Sequence, residues 1–251
     1  ACRSDKAEPE PWGAKAMMEE ANDKVRQGWA RLAGFLLVFT NVTAMFAFWV
    51  RGEAIVGNDA ARTAANMAAS EGFFRLGLAF DLVTVVGLIP LVVGLYVVLK
   101  PIGRNLALLA AAWRLIESGI LAGLTFASFT ALTLLGGGSY MRTLDPGQVQ
   151  DLIYTLLRVH TWGFQVAFLF LGLGQTLFSY LWWKSRFIPR WLAGLGIVAS
   201  SIMTVVALGI IIWPGLYSLV TMAYMAPMGI YEIVLGLWLL ILGIRPAPSA
   251  Q

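Results

Sequence analysis

The chain has 251 residues, of which 59% are apolar and only 13% charged, with 18 basic against 14 acidic side chains for a formal net charge of +4. Its mean hydropathy is +0.74, whereas an average soluble domain carries about 25% charged residues. So few charges cannot cover a water-exposed surface, and no compact core hides this much apolar side chain. That excludes an ordinary soluble domain, a disordered chain and a nucleic-acid-binding module, and leaves an all-α, polytopic integral membrane protein. The single cysteine, Cys2, excludes an internal disulfide framework and a thiolate metal cluster. The single histidine, His160, excludes bis-histidine haem ligation and multi-histidine metal sites within one chain. No metal site is expected.

A helix needs about 20 mostly apolar residues to cross the hydrocarbon core. The densely charged residues 1–28 form an N-terminal arm without the continuous apolar stretch of a signal peptide. Met17, Met18, Ala21 and Val25 predict a short surface helix within it. Span one is 32–50. Span two covers 82–99 and starts earlier, near Phe73, which places Arg75 and Asp81 inside it. Span three is 105–135, with Arg114 and Glu117 in its first half. Span four is 161–183. From Trp191 to Tyr231 no charge occurs, a run too long for one helix, and Trp213-Pro214-Gly215 breaks it. Span five is therefore 191–212 and span six 222–244, with Glu232 in its middle. The transmembrane domain is 29–245, and 246–251 is a proline-rich tail.

Six spans follow, oriented by the basic residues of flanks and short loops. Arg31, Lys100, Arg104, Lys184, Arg186, Arg190 and Arg245 fall on the side of the charged arm. Arg51, Arg62 and Arg142 fall on the other. Both termini are expected on the cytoplasmic side. In the opposite loops, Asn58-Asp59 caps a helix over 60–70. Asp145-Pro146 starts a second helix that runs through Leu152, Leu156 and Leu157 into span four. Arg31-Leu-Ala-Gly, Arg104-Asn-Leu-Ala and Arg190-Trp-Leu-Ala-Gly open spans one, three and five, the pattern of hairpins repeated in one orientation. Low-complexity apolar sequence generates the same pattern without duplication.

Charges at membrane depth are costly, so they pair, face a cavity, or both. Arg75, Asp81, Arg114, Glu117 and Glu232 form the candidate intramembrane charge cluster. Arg114 and Glu117 are three residues apart and share a helix face, while Arg75 and Asp81 lie on different faces. One reading is a self-neutralised structural cluster tying spans two and three. The other is a proton or ion relay through Asp81 and Glu117. Glu232 is either paired, for instance with Arg114, or a titrating carboxyl. His160 is either a hydrogen-bonded anchor or the axial ligand of a single chlorin-type macrocycle, with Gly163 leaving room for the ring. No cofactor is required by the sequence. Nucleophile elbow, phosphate loop and zinc-protease motifs are absent, so there is no candidate catalytic residue and no enzyme is expected. Pro90 predicts a kink in span two, and Gly172, Gly174, Gly194 and Gly196 suit close helix packing.

Arg31-Leu-Ala-Gly, Glu71-Gly-Phe-Phe-Arg-Leu-Gly-Leu-Ala-Phe-Asp81-Leu, Trp113-Arg-Leu-Ile-Glu117, Leu157-Arg-Val-His160-Thr-Trp-Gly-Phe164 and Phe187-Ile-Pro-Arg-Trp-Leu-Ala-Gly194 resemble the bacterial membrane family called domain of unknown function 4386. The resemblance covers about residues 29 to 245 and implies a six-helix fold in a bacterial cytoplasmic (inner) membrane, without an activity. Members often carry an acidic residue after the histidine, where this chain has Thr161. The expected partners are membrane lipid and other membrane protein subunits, with no nucleic acid. The function expected first is an accessory or scaffold subunit of a larger membrane complex. The alternative is a small proton-coupled secondary transporter using Asp81, Glu117 or Glu232.

Overall fold

A computed structural model describes residues 11–57, 59–137, 145–220 and 223–245. The described residues are helical, with no strand among them. Helices α1 (Pro11–Ala54), α2 (Ala60–Ala69), α3 (Glu71–Leu135), α4 (Pro146–Ser185), α5 (Arg190–Ile212), α6 (Leu216–Val220) and α7 (Ala226–Ile241) follow in order, with one 3₁₀ turn, Ala223–Met225, before α7. Five helical stretches are long and apolar enough to cross a membrane: one each in α1, α3, α4 and α5, and one formed by the 3₁₀ turn with α7.

The difference from six predicted spans lies in α3. Its 65 residues hold spans two and three, and a straight helix of that length would measure about 98 Å. Pro101 lacks a backbone donor, and Gly103 leaves helical geometry at φ −174° and ψ 86°. The chain folds back there. Val85 and Leu121 line one cavity, although a straight helix would hold them about 54 Å apart. The predicted arm also differs. From Pro11 onward it is the continuous start of α1 rather than a separate surface helix. Residues 1–10, Cys2 among them, and the tail 246–251 lie outside the described residues.

The two turns outside the apolar spans form where their caps predict. The Asp59 carboxylate accepts from the Arg62 backbone N–H at 2.9 Å to start α2. The Asp145 carboxylate accepts from Gly147 N–H at 2.7 Å, with Pro146 as the first residue of α4. Met67, Phe74, Leu78, Leu132, Ile153 and Leu157 then pin α2 against α3 and α4 in a small apolar core. At the other break, α5 stops at Ile212, and Trp213 is extended.

Small residues set the spacing of the large bundle, as lipid gives helices no hydrophobic reason to associate. A Cβ at Gly34 of α1 would lie 2.5 Å from Leu240 N and 2.6 Å from Gly236 O on α7. The two backbones therefore touch in this half of the bundle. Gly34→Val is expected to destabilise the fold by about 1–3 kcal/mol through overpacking. Gly119→Ala, where an added methyl meets nothing within 4 Å, is expected to be neutral or stabilising by about 1 kcal/mol or less. Thermal unfolding of the purified variants in detergent compares the two.

Candidate functional site: a cavity lined by buried charges

Beyond that glycine contact the bundle holds a cavity of about 400 Å³. Each long helix contributes to its wall, and Arg51, Asp81, Arg114, Glu117, His160 and Glu232 all reach it. Four of the five residues of the predicted charge cluster therefore line one space. The fifth does not. Arg75 is exposed, and its guanidinium pairs with Glu71 one turn earlier on α3 at 2.7 Å.

Arg51 closes α1 and pairs with Asp81 of α3, both at least nine-tenths buried. Its guanidinium also lies 5.5 Å from the centre of the Phe164 ring on α4, an arrangement that is stronger when desolvated. Further along the same interface, the hydroxyls of Thr43 and Thr84 meet at 2.7 Å. Arg51, expected among the loop charges on the side away from the termini, is a buried partner instead. The expectation that the cluster ties spans two and three is corrected accordingly, because this pair ties α1 to α3.

The second group centres on Arg114, 2% exposed. Its Nη1 lies 2.9 Å from Glu117 Oε2 on the same helix face, and its Nη2 lies 3.7 Å from Glu232 Oε1 on α7. Room for its aliphatic stem comes from Gly174 of α4. A Cβ there would lie 2.8 Å from Arg114 Cγ and 3.0 Å from Ala110 O. The other oxygen of Glu232 accepts from Asn41 Nδ2 at 3.0 Å, and the same amide nitrogen donates to Leu37 O at 2.9 Å. Asn41 thus spends both amide hydrogens, one anchoring it to α1 and one reaching α7. Beside this group the Tyr231 hydroxyl sits between Ser179 and Gln175 of α4 at 3.0 and 3.3 Å.

His160 is 2% exposed, with Nδ1 2.7 Å from Leu124 O and 2.6 Å from Ser128 Oγ. The hydrogen-bonded-anchor reading describes that side of the ring. Its Nε2 is buried without a hydrogen-bond partner, as is Glu232 Oε1. The space beside Gly163 predicted for a macrocycle is already filled. A Cβ at Gly163 would lie 3.1 Å from Leu124 Cδ1, with Leu124 Cδ2 closer still. A chlorin does not fit there.

Arg51 and Asn41 were the residues that charge-counting misses. Arg51 stands just past the apolar run of span one and reads as a flank charge. Asn41 carries no charge, yet an amide flanked by Thr40 and Thr43 inside an otherwise apolar span is itself the signal. Gln165, which accepts from the Tyr224 hydroxyl at 2.7 Å, is a third polar side chain of this kind.

An all-helical bundle with five long apolar helices and charges gathered at its centre defines a multi-pass membrane protein. Within that class, the family model described as "Domain of unknown function (DUF4386)" matches residues 32–243, and the chain belongs to that family. No curated protein and no solved structure matches it. The two arginine pairings differ in solvent, and this sets their weight. Arg51→Gln leaves Asp81 buried without its partner and is expected to cost about 3–5 kcal/mol. Arg75→Gln removes an exposed pair and is expected to cost about 0.5 kcal/mol or less. Unfolding of both variants under identical conditions checks the contrast.

Proposed function

We propose that the protein is a small proton-coupled secondary transporter, with the cavity as its binding site. The observation carrying this reading is the convergence of Asp81, Glu117 and Glu232, the carboxyls suited to coupling, on one cavity of about 400 Å³. A carrier needs a site reached from several helices, with polar groups at membrane depth that exchange a proton for a ligand. In this reading the two parts of α3 on either side of Gly103 cross separately. That makes six crossings, with both termini on the cytoplasmic side of a bacterial inner membrane. The protein performs no covalent chemistry. Glu232 and Glu117, sharing Arg114, are the coupling carboxyls, and Asp81, closed on Arg51, holds the site together.

A second reading, as an accessory subunit bound to other membrane proteins, rests on the start of α1. There Met17, Met18 and Val25 are 73%, 62% and 56% exposed amid charged residues, a face suited to a protein partner. Proteoliposomes loaded with a pH-sensitive dye and offered a panel of amines, carboxylates and neutral solutes separate the readings. The carrier predicts solute-dependent proton flux by the wild type and its loss in folded Glu232→Gln and Glu117→Gln. Flux unchanged in both variants contradicts these assignments. Silence toward every solute, with isolation in a defined larger complex, favours the subunit.

A further inference from the structure

The charges around the cavity do not cancel. Arg51 and Asp81 close one pair, and Arg114 then stands alone against Glu117 and Glu232. Among the residues lining the cavity the titratable groups are these five and His160. With His160 as the neutral imidazole one carboxyl is in excess, and in a low-dielectric interior it must hold a proton or a cation.

Among the buried atoms that make no hydrogen bond, the Arg114 nitrogens face Glu117 and Glu232, whereas two acceptors point toward a cation. A carbonyl only accepts, so His160 Nδ1 carries the hydrogen facing Leu124 O. The neutral ring then presents a lone pair at Nε2, which has no hydrogen-bond partner, and Glu232 Oε1, 3.7 Å from Arg114 Nη2, also accepts no hydrogen bond. Both residues are more than nine-tenths buried and both line the cavity. The rest of the wall is largely apolar, with Phe48, Phe164, Phe168 and Met203 among its members. Met45 and Phe48 line the cavity and yet are 75% and 38% exposed on the outer face of α1. The cavity therefore has a mouth on the apolar outside of the bundle.

Resting on the carrier reading, we infer that the ligand is a monovalent organic cation, a protonated amine with an apolar body. It takes the place of the proton shared by Glu117 and Glu232, and that proton leaves to water as the cation binds. The ammonium donates to Glu232 Oε1, with His160 Nε2 as a further acceptor on the cavity wall. The groups facing Glu232 are Asn41 from α1 and Arg114 with Glu117 from α3. Arg51, Asp81 and His160 complete the lining. An anionic ligand would add negative charge to a site already in acidic excess.

The test is calorimetric titration of the full chain in nanodiscs with phenethylammonium, repeated in two buffers of different protonation enthalpy, with hydrocinnamate as the anion of similar shape. The expected result is binding of the amine with release of about one proton, tighter at higher pH because the proton competes, and no binding of the anion. Glu232→Gln is expected to weaken the amine about thirtyfold and to abolish proton release. Should that variant fail to fold, the proton count and pH trend of the wild type decide the matter alone. No amine binding, binding without proton release, or preference for hydrocinnamate overturns the inference. Amine binding with proton release but no flux in liposomes sustains this site and sinks the carrier. Proton-driven flux of an anion or neutral solute without amine binding does the reverse.

Discussion

A guanidinium buried to 2% exposure between two carboxyls from different helices is the constraint on which the arrangement of this bundle depends. Arg114 cannot reach water, so the helices around it must supply its counter-charge and must also leave it room. Glu117 answers the first need from the same helix face and Glu232 from α7. Gly174 answers the second, because any side chain there would occupy the volume of the Arg114 stem. Breaking such a group by removing one partner is far more damaging than its net contribution to stability suggests. The interaction therefore constrains which faces of α3, α4 and α7 turn inward.

The rest of the interior follows from the same economy of polar groups. Asn41 joins α1 to Glu232 while satisfying its own helix at Leu37. Arg51 joins α1 to Asp81 and stacks on Phe164. The Gly34–Gly236 contact closes α1 on α7 in one half, and Met45 and Phe48 further along α1 line the cavity. A cavity lined by apolar side chains and buried charges together is the outcome. Lipid supplies no hydrogen bonds to compensate those charges, so they are both a structural tie and the available chemistry.

Most of the helices were legible in the sequence, because apolar runs and their caps are local features. Asp59, Asp145-Pro146 and Trp213 place starts and stops within a residue or two of those observed. The break at Pro101-Ile102-Gly103 was implied by the length of the apolar stretch and the basic residues beside it. Pairings across helices were less legible. The partners Arg51 and Asp81 are 30 residues apart and Asn41 and Glu232 are 191 apart, and no local period connects them. Arg75 and Arg51 show how position in the chain misleads. Arg75 lies beyond the start of an apolar helix and is solvated, whereas Arg51 lies at the end of one and is buried. Hydropathy puts Arg75 inside span two and Arg51 outside span one, and only the neighbouring helices decide which way each points.

The claim that one guanidinium serves two carboxyls from different helices is tested most directly by a double-mutant cycle on Arg114 and Glu232, read as unfolding free energy in detergent. If the group is shared, Arg114→Gln costs less when Glu232 is already Gln, because one carboxyl fewer is left uncompensated. The account predicts a coupling energy of about 1–3 kcal/mol. Additivity of the two substitutions, with coupling within about 0.3–0.5 kcal/mol of zero, would show that Glu232 is not held by Arg114 and would remove the centre of the account.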